Sequence, residues 1–320
     1  MNNQFASCLG ARIEDYITLR KRLGLKFGRQ SYTLAQFDLY LQSVDFSGVL
    51  TQDVASAFAT QNPNASANER AWRYGVVRRF SQYLSAYIPE TSCMDPHAFP
   101  SPTGRSVPYI FTQDQISEVL LLAKTLPHNP IRRITLHAMI ALAATTGMRL
   151  GEVARLNRAD VDLVSGVLHI QHTKFNKERL VPVHPTTLTV LNEYARVRDA
   201  TYPYPSTPAF FISMYRTRVA NQTLAMSFRA LLEVMGFSYQ VTPHPTFHSL
   251  RHTFAVRRLE TWYAEGKDVQ ALLPSLATYM GHVHYTDTAY YITATPQLLA
   301  LGATRADTAR LLGTDKGVQE

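Results

Sequence analysis

The sequence predicts a mainly α protein with one small antiparallel β-sheet, in which a helical first half precedes a larger second half that carries the chemistry. Three observations predict it. Apolar residues recur at helical spacing through both halves, strand-like alternation is confined to residues 161–183, and segment 96–108 holds four prolines and a glycine. Proline cannot continue a helix, so that segment reads as a linker between a domain at 1–95 and another at 109–320.

Each element follows from local chemistry. Before residue 90 the helical pattern runs through 13–25, 32–44 and 72–88, with Thr51 and Ser66 placed as helix starts. Thr112, followed three residues on by Gln115, opens a helix as a capping box. A second helix runs over 131–145. Residues 161–163, 167–172 and 179–183 then alternate around Ser165-Gly166 and Phe175-Asn176 as three short strands. Helical patterns return at 186–198, 223–235, 249–264, 272–280 and 296–301, with no repeat of fixed period.

Composition narrows the class. With 46% hydrophobic and 18% charged residues the chain falls in the globular range. The net charge of +8 favours a polyanionic partner, and both halves lean basic: 11 basic against 8 acidic residues before position 108, 21 against 16 after it. Cys8 and Cys93 are too few and too far apart for a disulfide framework or a thiolate zinc site, which suits a reducing cytosol. The polar start lacks a signal-peptide profile, and the apolar stretch 134–148, interrupted by His137, is shorter than the roughly 20 residues a membrane span needs. No membrane partner is expected.

The second half carries five short segments suited to phosphoryl transfer: Thr146-Gly147-Met148-Arg149-Leu150-Gly151-Glu152, Lys174, His248-Ser249-Leu250-Arg251-His252, Gly281-His282 and Tyr290-Tyr291. In order and spacing they resemble the tyrosine recombinase, or lambda-integrase, family, whose set is Arg, Lys, His-x-x-Arg, His/Trp and Tyr. The resemblance covers residues 109–295 and is closest to Xer-like and mobile-element members. In the first half only size and helical character match, resembling the core-binding domain with which these enzymes clamp DNA.

The resemblance implies a role for each residue. Arg149 and Arg251 clamp the scissile phosphate, His282 donates a hydrogen bond to it, and Tyr291, nine residues after His282, is the nucleophile. His248 accepts the tyrosine proton, Lys174 protonates the leaving 5′ oxygen, and Glu152 supports the site by orienting the histidine of the His-x-x-Arg motif. Taken alone, Arg149 and Glu152 read rather as a surface i,i+3 ion pair, and only the surrounding motif reverses that. Lys174 sits in Thr173-Lys174-Phe175-Asn176-Lys177-Glu178-Arg179, where both flanking glycines of the family pattern are replaced, so Lys177 stays open as a substitute. His244, His248 and His252 recur every four residues, but Pro245 spoils the first turn and nothing completes a zinc site. His252 reads as a packing residue, His284 as a surface histidine, and Tyr290 as a packed aromatic.

The expected protein is therefore a site-specific DNA recombinase that cuts and rejoins strands through a 3′-phosphotyrosine, without metal or cofactor. Its expected partners are double-stranded DNA bearing recombination sites and further copies of itself, a dimer on each site and a tetramer in synapsis; the resemblance implies that residues 296–301 and 309–312 form a C-terminal helix docking on a neighbour, and an ordinary helix packed on its own subunit is an equal reading. Movement of a mobile element is the expected role. The rival readings are an inactive DNA-binding or architectural protein of the same fold and a type IB-like topoisomerase; a metal-dependent nuclease lacks the spaced carboxylates it would need.

Overall fold

The computed structural model describes residues 5–91, 93–100, 107–125, 129–171, 178–204, 206–238, 243–282, 284–293 and 300. It divides into two compact units, Met1–Arg105 and Ser106–Glu320. The first is built from α1 (Gly10–Arg22), α2 (Gly28–Ser43), α3 (Gln52–Thr60) and α4 (Ala67–Leu84). Thr51 and Ser66 cap as expected, their hydroxyls accepting from the backbone N–H of Val54 and Glu69. Each cap satisfies one of the donors a helix start leaves without a partner.

The apolar stripes of these four helices meet in one core. Ile13 and Tyr16 of α1, Leu34 and Phe37 of α2, Phe58 of α3 and Val77 and Phe80 of α4 are all buried within it. Phe58 stands edge-on to Phe37 with centroids 5.1 Å apart. Ala98 and Phe99 also pack on this core, so the start of the proline-rich segment serves the helical unit.

The second unit is laid around α6 (Pro130–Thr146), a helix buried on almost every side and packed against α5 (Gln113–Thr125), α8 (Pro185–Thr201) and α10 (Phe247–Ala264). His137 is accommodated within it through Nδ1, 3.2 Å from the Leu120 carbonyl. Thr112 and Gln115 form the reciprocal capping box at the start of α5. After α7 (Leu150–Arg155) come β1 (Val161–Asp162), β2 (Val167–Ile170) and β3 (Arg179–Pro182), an antiparallel sheet in the order β1-β2-β3 with Val161 opposite Leu168 and Ile170 opposite Arg179. Residues 172–177 of the β2–β3 connection, including Lys174 and Lys177, lie outside the described residues, as does the proposed docking segment except Ala300.

Among the described residues the unit also holds α9 (Asn221–Val234), α11 (Val269–Met280) and the single turn α12 (Thr286–Ala289), and Tyr291 sits in a 3₁₀ turn, Tyr290–Thr293. Tyr291 therefore lies in a tight turn and not in a regular α-helix. Its neighbourhood, Thr288-Ala289-Tyr290-Tyr291-Ile292-Thr293, is rich in β-branched and aromatic residues of weak helix propensity, and the chain tightens there instead.

Truncating Phe58 to Ala should leave a cavity among Phe37, Tyr40 and Arg73 and destabilise the first unit by about 3–5 kcal/mol. Denaturant unfolding followed by circular dichroism reads it; a loss below about 1 kcal/mol would mean that this ring does not belong to the core.

Candidate active site

Two helix ends and two glycines create the bracket that holds the arginines. Gly147, at φ 63°, ends α6 in the left-handed conformation, and Gly281, at φ 67°, ends α11 the same way. Each turn leaves carbonyls at the negative pole of a helix, where a cation is favoured. Arg251, 1% exposed, donates to the Gly147 carbonyl at 2.7 Å and the Met280 carbonyl at 2.8 Å. Arg149, half-buried just before α7, donates to the Gly281 carbonyl at 2.9 Å. Burial, then the neighbouring Arg149, pull Arg251 down to about 10, so it remains charged at neutral pH.

Glu152 ties this bracket to the sheet. Its carboxylate accepts from the Arg149 backbone N–H and side chain, both at 3.0 Å, and from both terminal nitrogens of Arg179 at 3.2 and 2.9 Å. Arg179 also donates to the Tyr279 carbonyl at 2.8 Å, which joins β3 to the last turn of α11. Burial pushes the Glu152 carboxyl up, but the hydrogen bonds and charge of Arg179, then those of Arg149, win and hold it down to about 2. A Cβ on Gly281 would stand 2.7 Å from an Arg179 nitrogen and 3.0 Å from its guanidinium carbon. Gly281 is thus needed twice, for its positive φ and for the room Arg179 occupies.

Three histidines and the tyrosine complete the pocket. His248 and Arg251 lie three apart on the first turns of α10, with His248 exposed at the mouth and Arg251 beneath it. His282, half-buried, has its Nδ1 2.6 Å from the hydroxyl of fully buried Thr288. If that hydroxyl donates, the ring proton sits on Nε2, as a donor toward phosphate would require. The Tyr291 ring is 3% exposed, stacked 6.2 Å from the His282 ring, and its hydroxyl is hydrogen-bonded to His252 Nδ1 at 3.0 Å.

The electrostatics of the pocket are one-sided. Partial desolvation of its otherwise exposed ring, followed by Arg251 and Arg149, lowers His248 to about 4; burial, followed by Arg251 and Arg149, lowers His282 to about 3, and burial, followed by His248 and Arg251, lowers His252 to about 4. All three rings are neutral at pH 7. Burial raises Tyr291, while Arg251 and Arg149 pull it back. Three guanidiniums, Arg149, Arg179 and Arg251, against the single carboxylate of Glu152 and neutral histidines leave the site net positive, which attracts an anion.

Arg149, Glu152, His248, Arg251, His282 and Tyr291 therefore cluster at one place, while Lys174 falls outside the described residues. Tyr290 packs half-buried beside Tyr291, centroids 5.7 Å apart. Two expectations change. Glu152 engages Arg149 and Arg179 rather than His248, because both of its oxygens are saturated by guanidinium donors. His252, expected to pack, touches the tyrosine hydroxyl. Arg179 had a trace in the sequence, as the last residue of the Lys-Glu-Arg stretch that leads into β3 and its first strand residue, but nothing there pointed to a carboxylate 27 positions earlier.

The fold and this site together define a tyrosine recombinase. The family model described as the phage integrase family matches residues 110–297, and the chain belongs to that family. A Sinorhizobium fredii (strain NBRC 101917 / NGR234) protein named integrase/recombinase y4rE is 43% identical over 303 residues, 94% of this chain and 97% of its own. Tyrosine recombinase XerC of Chlamydia trachomatis serovar L2 is 29% identical over 153 residues, 48% of this chain and 44% of its own. The fold is shared with lambda integrase (75–356), solved as a dimer bound to a COC' core site, at TM-score 0.65 and 15% identity, covering 89% of this chain and 95% of that one. XerH bound to palindromic difH shares it at TM-score 0.64 and 15% identity, covering 86% and 78%. The protein is a site-specific DNA recombinase.

Two substitutions test the bracket. Glu152 ionises well below its ordinary value, so its stabilisation is complete above about pH 4.5 and is lost as pH falls toward about 2. Glu152→Gln should therefore melt below the wild type at pH 7, by up to roughly 3 kcal/mol, with the gap narrowing between pH 5 and pH 3. A gap independent of pH would show that the carboxylate charge is not what binds the two arginines. Gly281→Ala, which strains a positive φ and displaces Arg179, should lower the melting temperature further than Gly236→Ala, whose added Cβ meets nothing within 4 Å. Equal losses would remove the steric argument.

Proposed function

We propose that Tyr291 is the nucleophile of this recombinase and that Arg149, Arg251 and His282 bind the scissile phosphate. The observation that carries the reading is the convergence of these four side chains, from the turn before α7, from α10, from the end of α11 and from the 3₁₀ turn, on one pocket. In this reading the phenol oxygen attacks phosphorus, the arginines and His282 offset the charge that builds on the non-bridging oxygens, and a 3′-phosphotyrosine forms. By the family pattern His248 accepts the Tyr291 proton and Lys174 protonates the departing 5′ oxygen, steps that typically contribute about 10²–10⁴ each in rate. Glu152 supports the reaction by fixing Arg149. The phosphodiester energy stays in the tyrosyl bond, so the 5′-hydroxyl of another strand can reverse the step without ATP, cofactor or metal.

The same reading extends to assembly and context. Specific recombination sites are the DNA partner, two copies bind each site, and four meet in synapsis in the bacterial cytosol. Complexes of dimers and tetramers among the structures that share the fold support this. Movement of a mobile element is the proposed role, supported by the integrase/recombinase name of the relative 43% identical and by the fold shared with the Tn1549 transposon integrase. No described helix is long and apolar enough to cross a membrane.

Nicked duplexes with a randomised core, incubated with the full chain and denatured, should leave DNA attached to protein, and sequencing that DNA should yield a defined site. Tyr291→Phe should abolish the adduct and Tyr290→Phe should spare it. Adducts lost only in the second variant would move the nucleophile by one residue; relaxation of supercoiled plasmid with no site enrichment would favour a topoisomerase. Binding to the recovered site should weaken by orders of magnitude between about 50 and 200 mM salt, as counterion release requires.

A further inference from the structure

We propose that His252, one residue beyond the arginine of the His-x-x-Arg segment, is the immediate proton acceptor for Tyr291 in strand cleavage and the donor that returns that proton in resealing. The inference rests on Tyr291 being the nucleophile, and it assigns the step that the family pattern gives to His248. Its basis is contact: the Tyr291 hydroxyl lies 3.0 Å from His252 Nδ1, with ring centroids 5.5 Å apart.

The other groups around the phenol cannot take this proton as directly. Arg251 and Arg149 have only donors, so a phenol hydrogen aimed at them would meet N–H groups and positive charge. The His282 ring stacks on the tyrosine, and its Nδ1 is engaged with Thr288. His248 stands one ring further out, at the mouth, perpendicular to His252 with centroids 4.6 Å apart. A hydroxyl that donates to His252 Nδ1 keeps its oxygen lone pairs for Arg251, which lies within hydrogen-bonding reach, and for phosphorus.

The chemistry balances without further reactants. The Tyr291 oxygen forms the bond to phosphorus as its proton moves to Nδ1; the bond from phosphorus to the 5′ oxygen breaks, and that oxygen leaves with a proton from Lys174. Resealing runs the other way, with Nδ1 giving its proton back to the phenol oxygen. The environment also makes the acceptor conditional on substrate. Besides the Tyr291 hydroxyl, the charged and titratable neighbours acting on His252 are His248 and Arg251, both on α10, and together with burial they keep the ring neutral and weakly basic. A phosphate on Arg251 offsets that positive charge, so basicity returns when DNA is in place.

The test uses the full chain and the nicked site recovered from the randomised duplexes. His252→Asn keeps a hydrogen-bond acceptor near the phenol but cannot take its proton. It should bind that duplex within about threefold of wild type, form the Tyr291 adduct at least 10²-fold more slowly, and speed up steadily from pH 7 to pH 9 as hydroxide replaces the lost base. In parallel, ring ¹⁵N spectra of the DNA-free wild type should show His252 with its proton on Nε2, and its Nδ1 signal should move in Tyr291→Phe. Cleavage by His252→Asn within a few-fold of wild type, on the same pH profile, overturns the inference and leaves Tyr291 as nucleophile. If His252→Asn fails to fold, an Nδ1 signal indifferent to Tyr291→Phe overturns it equally. A wild type that forms no adduct at Tyr291 removes the reading of the site itself.

Discussion

The buried carboxylate of Glu152 is the interaction on which the site depends. Two guanidiniums brought toward one pocket repel each other, and neither could be held there by carbonyl dipoles alone without losing its orientation. Glu152 places a full negative charge behind Arg149 and a second arginine, Arg179, behind itself, so that the array is braced from β3 through α7 to the end of α11. A buried ion pair seldom adds much net stability over an apolar substitute of the same shape, but losing one partner is costly. Its value here is geometric: it fixes which way Arg149 points.

The glycines follow from that constraint. Gly147 and Gly281 each end a helix where an arginine must reach a carbonyl, and each would bring a side chain into collision, with Phe254 in the first case and Arg179 in the second. Conformational freedom and close approach coincide at the same residues. The resulting pocket is cationic and its histidines are neutral, a condition suited to receiving a phosphodiester and to moving protons once it has arrived. Tyr291 packs against this array, 3% exposed, in a 3₁₀ turn.

The sequence made a large part of this legible. The capping residues Thr51, Ser66 and Thr112 carried their own signal, because a hydroxyl two or three residues before an apolar stripe has a local job that needs no tertiary context. The short strands showed through alternation, and the spacing of Arg149, His248, Arg251, His282 and Tyr291 carried the family resemblance. Less visible were the short α7 and the 3₁₀ turn at Tyr291, since six or four residues are too few to express a period. Two partners were invisible for another reason. Arg179 and His252 gain their roles from contacts with Glu152, 27 positions away, and Tyr291, 39 positions away.

By itself the sequence determined the fold class, the helical character of both halves, the family and the residue types gathered for phosphoryl transfer, because local propensity, periodicity and motif spacing are written along the chain. Only the tertiary structure decided which groups answer which. Glu152 could have oriented a histidine and instead holds two arginines; His252 could have packed in the core and instead meets the tyrosine hydroxyl. Those choices depend on directions and distances between side chains on separate elements, and linear order carries no information about them until the helices and the sheet are packed.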